Sequence, residues 1–416
     1  MLRAEILAVG TELLTPLRSD TNAVYLTGQL LQAGVDVGAR VTVADDPGLL
    51  ESAFRAALGR AHVVIATGGL GPTEDDLTRE AAAAALGRGL RRDPGILEAL
   101  RARFARYGRA MAPVNEKQAD LIEGAVALPN PFGSACGQKL EADGRILFLL
   151  PGPPNEMQPM FEEQVLPAIR ERARGALLLT RVLRIASMSE SDVEQVAAPI
   201  YKTFTNPRTT ILGAPGQVEL HLTAEGPSAD AVAERLEALA KRLREALPGR
   251  VYSEDGRELP EVVAALLGER GLTIAVAESC TGGLLAARLT AVPGASAFLE
   301  RGYVTYGNRS KVELLGVDPA VLASAGAVSA ETAGAMAAGA RRAARADIGV
   351  SITGIAGPDG GTADKPVGLV FIATEGAAGD RVRRIHFPGT RERVRYQATQ
   401  AALEMLRRGL LGLAAM

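Results

Sequence analysis

The 416-residue chain has only two cysteines, Cys136 and Cys280, three histidines, His62, His221 and His386, and no tryptophan. Two cysteines so far apart exclude a disulfide framework and argue against a thiolate zinc site. Three histidines leave few members for a histidine-based triad. No basic run stands out: 46 Lys and Arg stand against 48 Asp and Glu, a formal net charge of −2. No nucleic-acid partner is expected from that balance. No apolar run approaches membrane-spanning length, and MLRAEILAVGTE lacks the apolar core of a secretory leader. The expected compartment is the cytoplasm, with no membrane partner.

What is present is a soluble-type composition, 47% hydrophobic and 23% charged, in a chain long enough for two or three domains. Up to about residue 170, strand-like runs (EILAVG, VGARVTVAD, HVVIAT) alternate with helix-like ones (TNAVYLTGQLLQAG, LLESAFRAALGRA). That order predicts an α/β domain with an open parallel sheet, whose ligands sit at the carboxyl ends of the strands. A middle block reads β-α-β-β-α-β, a small α+β domain of ferredoxin-like pattern with no catalytic cluster. A third block, from ELPEVVAALLGERG onward, is α/β again. The expected domains are 1–172, 173–255 and 256–416.

In the first block the strand HVVIAT runs into TGGLGPTEDDLT. Gly68, Gly69 and Gly71 allow backbone N–H groups to face a phosphate closely. Asp75 and Asp76 follow. Beside a phosphate they make sense with a divalent cation between, or else as first-turn carboxylates favoured by the helix dipole before LTREAAAAALG. In the third block AESCTGG (277–283), AVPGAS (291–296), YGNRSK (306–311) and TGIAGPDGGTADKPVG (353–368) fall at one end of the predicted sheet. Hydroxyls and glycine turns there suit phosphate binding without catalysis. An amide hydrolase needs a nucleophile, a base and an oxyanion hole. Cys280 lacks a base, since His386 lies within the strand-like RIHFPG. Ser296 with Lys311 as a desolvated base is the other route, the two separated by a short strand crossing. Each also has a plain reading: Ser296 as a helix cap, Lys311 as a surface lysine, Cys280 as a packed small residue.

TGGLGPTEDDLT, GTELL, DTN (20–22), LPNPFGSACG and LPGPPNEMQPMF resemble the molybdopterin-binding fold of MogA/MoaB type. The branch they match stands at the front of CinA proteins. ESCTGG, VPGAS, YGNRSK, GAVS and TGIAGPDGG resemble the C-terminal, PncC-type nicotinamide-nucleotide amidase domain of the same family. The resemblance covers the whole chain. It implies a pyridine-nucleotide salvage hydrolase that converts nicotinamide mononucleotide to nicotinic acid mononucleotide and ammonia with a Ser/Lys pair and no cofactor. By position Ser296 is the nucleophile and Lys311 the base, supported by Ser279, Tyr306 and Thr353. Thr281, Gly282, Gly283, Asn308 and Gly354 line the substrate, and Arg391 or Arg395 binds its phosphate. For the N-terminal block the resemblance implies a metal-dependent ADP-ribose pyrophosphatase. The Gly68–Gly71 loop, Ser134 and Asn155 would hold substrate. Asp75, Asp76, Glu12 and Asp20 would be grouped around Mg, Mn or Co. It also implies a homodimer. Gly307 and Ala295 depart from the serines common at those places, which removes loop hydroxyls but no proposed catalytic group. The competing reading is a non-catalytic nucleotide- or pterin-binding regulator linked to competence or DNA damage.

Overall fold

The computed structural model describes residues 2–173 and 177–414. The expected outer limits, 1 and 416, and residues 174–176, beside the expected 172/173 boundary, lie outside the described residues.

The N-terminal block contains β1 (Arg3–Val9), β2 (Asp36–Val43), β3 (Val63–Thr67), β4 (Leu90–Arg92), β5 (Asp120–Ile122), β6 (Val126–Leu128), β7 (Gly137–Ala142) and β8 (Arg145–Leu150). Six of these form one sheet in the order β2-β1-β3-β8-β7-β6, and β4 pairs with β5 alone. β2, β1, β3 and β8 run parallel. β7 and β6 extend the sheet antiparallel. The reversal follows from Asp143-Gly144, a two-residue turn with φ of 48° and 77° that only such a dipeptide adopts readily. β1, β3 and β8 are buried almost throughout, as continuous apolar strands covered on both faces should be. Thr21–Gln32 packs Leu26 and Leu30 on one face with Met157 and Phe161. Pro47–Arg60 packs Phe54 on the other, beside the alanines of Thr78–Leu86. The carboxyl ends Ala8, Thr67 and Leu150 come side by side in register.

The middle block has β9 (Leu177–Ala186), β10 (Arg208–Ala214), β11 (Gln217–Gly226) and β12 (Val251–Ser253), in the order β10-β11-β9-β12. With the helices Glu190–Tyr201 and Ala229–Ala246 this is the expected β-α-β-β-α-β arrangement.

The third block carries β13 (Ile274–Glu278), β14 (Leu299–Val304), β15 (Ile348–Gly354), β16 (Leu369–Gly376) and β17 (Arg381–His386), in the order β14-β13-β15-β16-β17. β14, β13 and β15 are parallel; β16 and β17 are antiparallel additions. The long helix Arg391–Leu410 packs Val394, Ala398 and Leu406 on the sheet with Val263 and Leu267 of Leu259–Arg270. Arg391 and Arg395, expected to bind phosphate, lie in the first two turns of this helix. Among the described residues no helix is long and apolar enough to cross a membrane.

Candidate active sites

A cleft of about 630 Å³ opens at the carboxyl ends of the N-terminal parallel strands. The TGGLG loop forms one wall of it. Gly68 has φ of +99°, and a Cβ there would stand 2.2 Å from the carbonyl oxygen of Val9. At Gly71 a Cβ would stand 2.4 Å from Asp76 Oδ2. A side chain is therefore excluded at Gly68 by both backbone conformation and crowding, while one at Gly71 would have to displace the Asp76 carboxylate. Thr78 ties the loop to the following helix, its hydroxyl donating to Gly68 O at 2.8 Å and its N–H to Gly69 O at 3.2 Å. Ser134 lines the same cleft and accepts from Gln118 Nε2 at 3.1 Å.

Asn155 does not line the cleft: it is exposed on the helix Pro154–Met160, and its neighbour Glu156 faces the cleft instead. Asn22, passed over when only Asp20 was singled out from DTN, also lines it. Its Nδ2 donates to Gly152 O at 2.7 Å, while its buried Oδ1 has no partner.

Glu12, Asp20, Asp75 and Asp76 all border the cleft. They do not converge into one shell; no group of three His, Cys, Asp or Glu side chains among the described residues is arranged to hold a metal. Asp20 Oδ1 caps the helix Thr21–Gln32 through Ala23 N–H at 2.9 Å. Asp76 Oδ2 accepts from Thr73 N–H at 2.8 Å and Thr73 Oγ1 at 2.5 Å. Hard carboxylate oxygens of this kind suit a Mg²⁺-class cation that takes one or two ligands from protein and the rest from phosphate and water. They do not make an all-protein cage.

In the C-terminal block the chain leaves β13 at Glu278 and turns through Ser279–Gly283 into the helix Leu284–Thr290. Buried Glu278 fixes that turn, its carboxylate accepting from Leu285 N–H at 3.0 Å and Ala286 N–H at 2.8 Å. A carboxylate at a helix N-terminus satisfies donors that would otherwise be orphaned. Gly282 and Gly283 take positive φ, 61° and 92°, and Gly282 N–H closes on Ser279 O at 3.1 Å. The N–H groups of Cys280 and Thr281 have no acceptor among the described residues.

Lys311, on the helix Asn308–Leu315, is 0% exposed. Its Nζ donates to Thr305 O at 2.8 Å, to Tyr306 O at 3.3 Å and to Ser279 Oγ at 3.3 Å. Among the described residues no carboxylate pairs with it, and burial holds its pKa below the ordinary lysine value. Tyr306 OH accepts from Arg391 Nη2 at 3.0 Å, and Arg391 Nη1 donates to Gly357 O at 2.7 Å. Arg395 grips Thr281 O at 2.7 and 3.2 Å. Hydrogen bonds thus link Ser279, Lys311, Tyr306 and Arg391, while the Arg395–Thr281 pair stands two residues along the same turn from Ser279. Thr353 is buried and spends its hydroxyl on Ala327 O at 2.7 Å, and Gly354 packs against β16. Asn308 is exposed, with no side-chain bond. Cys280 is buried, and burial pushes its thiol up to about 12, the opposite of an activated thiolate.

Ser296 is not brought to Lys311. It is exposed on the short turn Ala295–Ala297 that leads into β14. Phe298 O accepts from Ile274 N–H at 2.7 Å, at the amino end of β13, whereas Ser279 follows its carboxyl end. The five residue steps from Ile274 to Ser279 span ~16 Å in an extended strand. The short crossing expected to unite Ser296 with Lys311 runs the length of the sheet and carries Ser296 to the other end. The serine that meets Lys311 is Ser279.

The sequence matches three family models: "Probable molybdopterin binding domain" over residues 5–171, "Damage-inducible protein CinA KH domain" over 180–253 and "CinA C-terminal domain" over 256–410. It is 47% identical over 409 residues to a "CinA-like protein" of Solibacter usitatus, covering 98% of each chain. It is 46% identical over 410 residues to a "Putative competence-damage inducible protein" of Moorella thermoacetica, covering 98% of this chain and 99% of that one. A solved CinA superfamily protein from Klebsiella pneumoniae shares 38% identity, covering 37% of this chain and 96% of its own, with a TM-score of 0.36. With its molybdopterin-binding-like N-terminal domain, KH-like middle domain and C-terminal domain in order along almost the full length of these relatives, the chain belongs to the CinA family.

Proposed function

We propose that the C-terminal block is an amide hydrolase acting on nicotinamide mononucleotide, with Ser279 as nucleophile and Lys311 as base. The environment of Lys311 Nζ carries the reading. An ammonium has three N–H donors, and the three acceptors around Nζ take them all. After one proton is lost, two N–H groups remain for the carbonyls of Thr305 and Tyr306, which can only accept. The lone pair then faces Ser279, whose hydroxyl can donate. The two carbonyls aim the base, and burial favours its neutral form.

Ser279 Oγ attacks the carboxamide carbon as Lys311 takes the hydroxyl proton. Lys311 returns that proton to the departing nitrogen, and ammonia leaves an acyl-serine. Water then attacks the ester carbon, giving one proton to Lys311, which passes it to the departing Ser279 Oγ; the carboxylic acid so formed loses its remaining proton to solvent. The free N–H groups of Cys280 and Thr281, next to the nucleophile in the turn, would receive the oxyanion. Arg391 and Arg395 supply the positive charge for the nucleotide's phosphate.

Ammonia release from nicotinamide mononucleotide by Ser279→Ala, Ser296→Ala and Lys311→Ala tests the assignment. Ser279→Ala and Lys311→Ala are expected to lose at least about 10²-fold in kcat, and Ser296→Ala to stay within about twofold. Loss in Ser296→Ala with Ser279→Ala active would reverse the assignment. Tight binding with no turnover in the unaltered protein would favour the regulatory, non-catalytic reading.

For the N-terminal cleft we propose cleavage of the ADP-ribose pyrophosphate, supported by a glycine loop and carboxylates bordering one cleft. Glu12 and Asp75 would hold a divalent cation together with the diphosphate, and the cation would neutralise its developing charge. Turnover that persists in chelator, or in Asp75→Ala, would rule the metal out.

A further inference from the structure

Two cations lie against the TGGLGPTEDD loop, and among the described residues neither is in direct contact with a carboxylate, although Asp75 acts on Lys117 through space. Arg79 is completely buried; its Nη1 donates to Leu70 O at 2.9 Å and its Nη2 to Gly71 O at 3.0 Å, while Nε has no acceptor. Lys117, half-buried on the segment Pro113–Ala119, donates through Nζ to Thr73 O at 2.6 Å and Asp76 O at 2.8 Å. Neither side chain enters an ion pair among the described residues; Glu80, Asp76 and Asp120 act on Arg79 only through space. An arginine with no exposed surface and no directly paired carboxylate is costly unless something else uses its charge.

The loop's backbone shows what uses it. In a planar trans peptide the C=O of one residue and the N–H of the next point in opposite directions. The carbonyls of Gly68 and Gly69 are held by Thr78, Leu70 by Arg79, Thr73 and Asp76 by Lys117. The N–H groups of Gly69, Leu70, Gly71, Glu74 and Leu77 are thereby turned away from these anchors, and none has an acceptor among the described residues. Gly69, Leu70 and Gly71 border the cleft. A row of unpaired N–H groups with positive charge behind it is an anion cradle.

We infer that Arg79 and Lys117 are positioning residues for a diphosphate: they hold the loop's carbonyls back, present its amides to the anion, and supply the charge that a bound anion neutralises. The inference rests on the reading of this loop as a phosphate site, and extends it to two residues outside the glycine motif. Neither need touch the ligand.

The test is calorimetric titration of the full chain with inorganic pyrophosphate in Mg²⁺ buffer, with the melting midpoint of each unliganded variant recorded beside it. Lys117→Met is expected to weaken binding at least tenfold, equivalent to about 1.4 kcal/mol, and Lys117→Arg to restore it to within about threefold. Arg79→Lys keeps the charge but loses the planar two-nitrogen fork that spans Leu70 O and Gly71 O, and is also expected to weaken binding tenfold. If the unaltered protein binds pyrophosphate and both Lys117→Met and Arg79→Lys bind it within twofold, the inference is overturned while the phosphate reading stands. An equal loss in Lys117→Met and Lys117→Arg would also overturn it. No binding by the unaltered protein would sink both.

Discussion

Lys311→Arg separates a base from a mere cation at the proposed amidase site. The guanidinium keeps a positive charge and N–H donors for Thr305 O and Tyr306 O, but it does not deprotonate in proteins. An unperturbed lysine, with a pKa of about 10.4, is neutral in roughly one molecule in a thousand near pH 7.4. Burial lowers that value for Lys311, and each unit of lowering multiplies the neutral fraction about tenfold until it saturates. The rate of ammonia release should therefore rise tenfold per pH unit below the depressed pKa and level above it. Folding stability should rise over the window from that depressed value up to the unfolded lysine's, because there the unfolded chain holds a proton that the folded chain has lost. The assay is kcat against pH for nicotinamide mononucleotide, in the unaltered protein and in Lys311→Arg. The variant is expected to lose about 10²–10⁴-fold and the rising limb with it. A Lys311→Arg enzyme within tenfold of the original, or one that keeps the same limb, would refute the base assignment.

Two further outcomes follow from the geometry. Cys280 is buried, with its thiol pushed up to about 12, so thiol alkylators near neutral pH should leave ammonia release unchanged; inactivation that tracks Cys280 labelling would contradict this. Gly68→Ala drives a Cβ to 2.2 Å from Val9 O at φ +99°, so it should cost about 1–3 kcal/mol in urea unfolding and abolish ADP-ribose turnover, and a fully stable, active variant would show that the loop is not held as described.

The α/β character of the outer blocks was legible because strands buried on both faces read as continuous apolar runs, of which VVIAT in β3 is the plainest. The antiparallel edge of the first sheet was written in Asp143-Gly144, a turn dipeptide that block-level alternation passes over. Arg79 and Lys117 were not legible at all. In sequence each is one basic residue among many, and only the fold shows carbonyls in place of the usual solvent or carboxylates. Glycines advertise a phosphate loop; the residues behind it that aim its amides carry no motif.

The exchange of Ser296 for Ser279 has a more general cause. Reading AVPGAS and YGNRSK as neighbours treated nearness in sequence as nearness in space, yet β14 lies between them. In a parallel sheet, a residue just before a strand and one just after it lie at opposite ends, and ligands gather at the carboxyl ends. Ser279 follows β13, and Lys311 follows β14, whose Val304 pairs with Glu278. Both therefore arrive at the same end, and Thr305, between β14 and the helix of Lys311, supplies a carbonyl to Nζ. Ser296 precedes β14 and cannot reach that end without crossing the sheet. Strand polarity, applied to elements the sequence already displayed, excludes Ser296 and leaves Ser279 and Ser310 at the end of Lys311; the contact of Nζ with Ser279 Oγ decides between them.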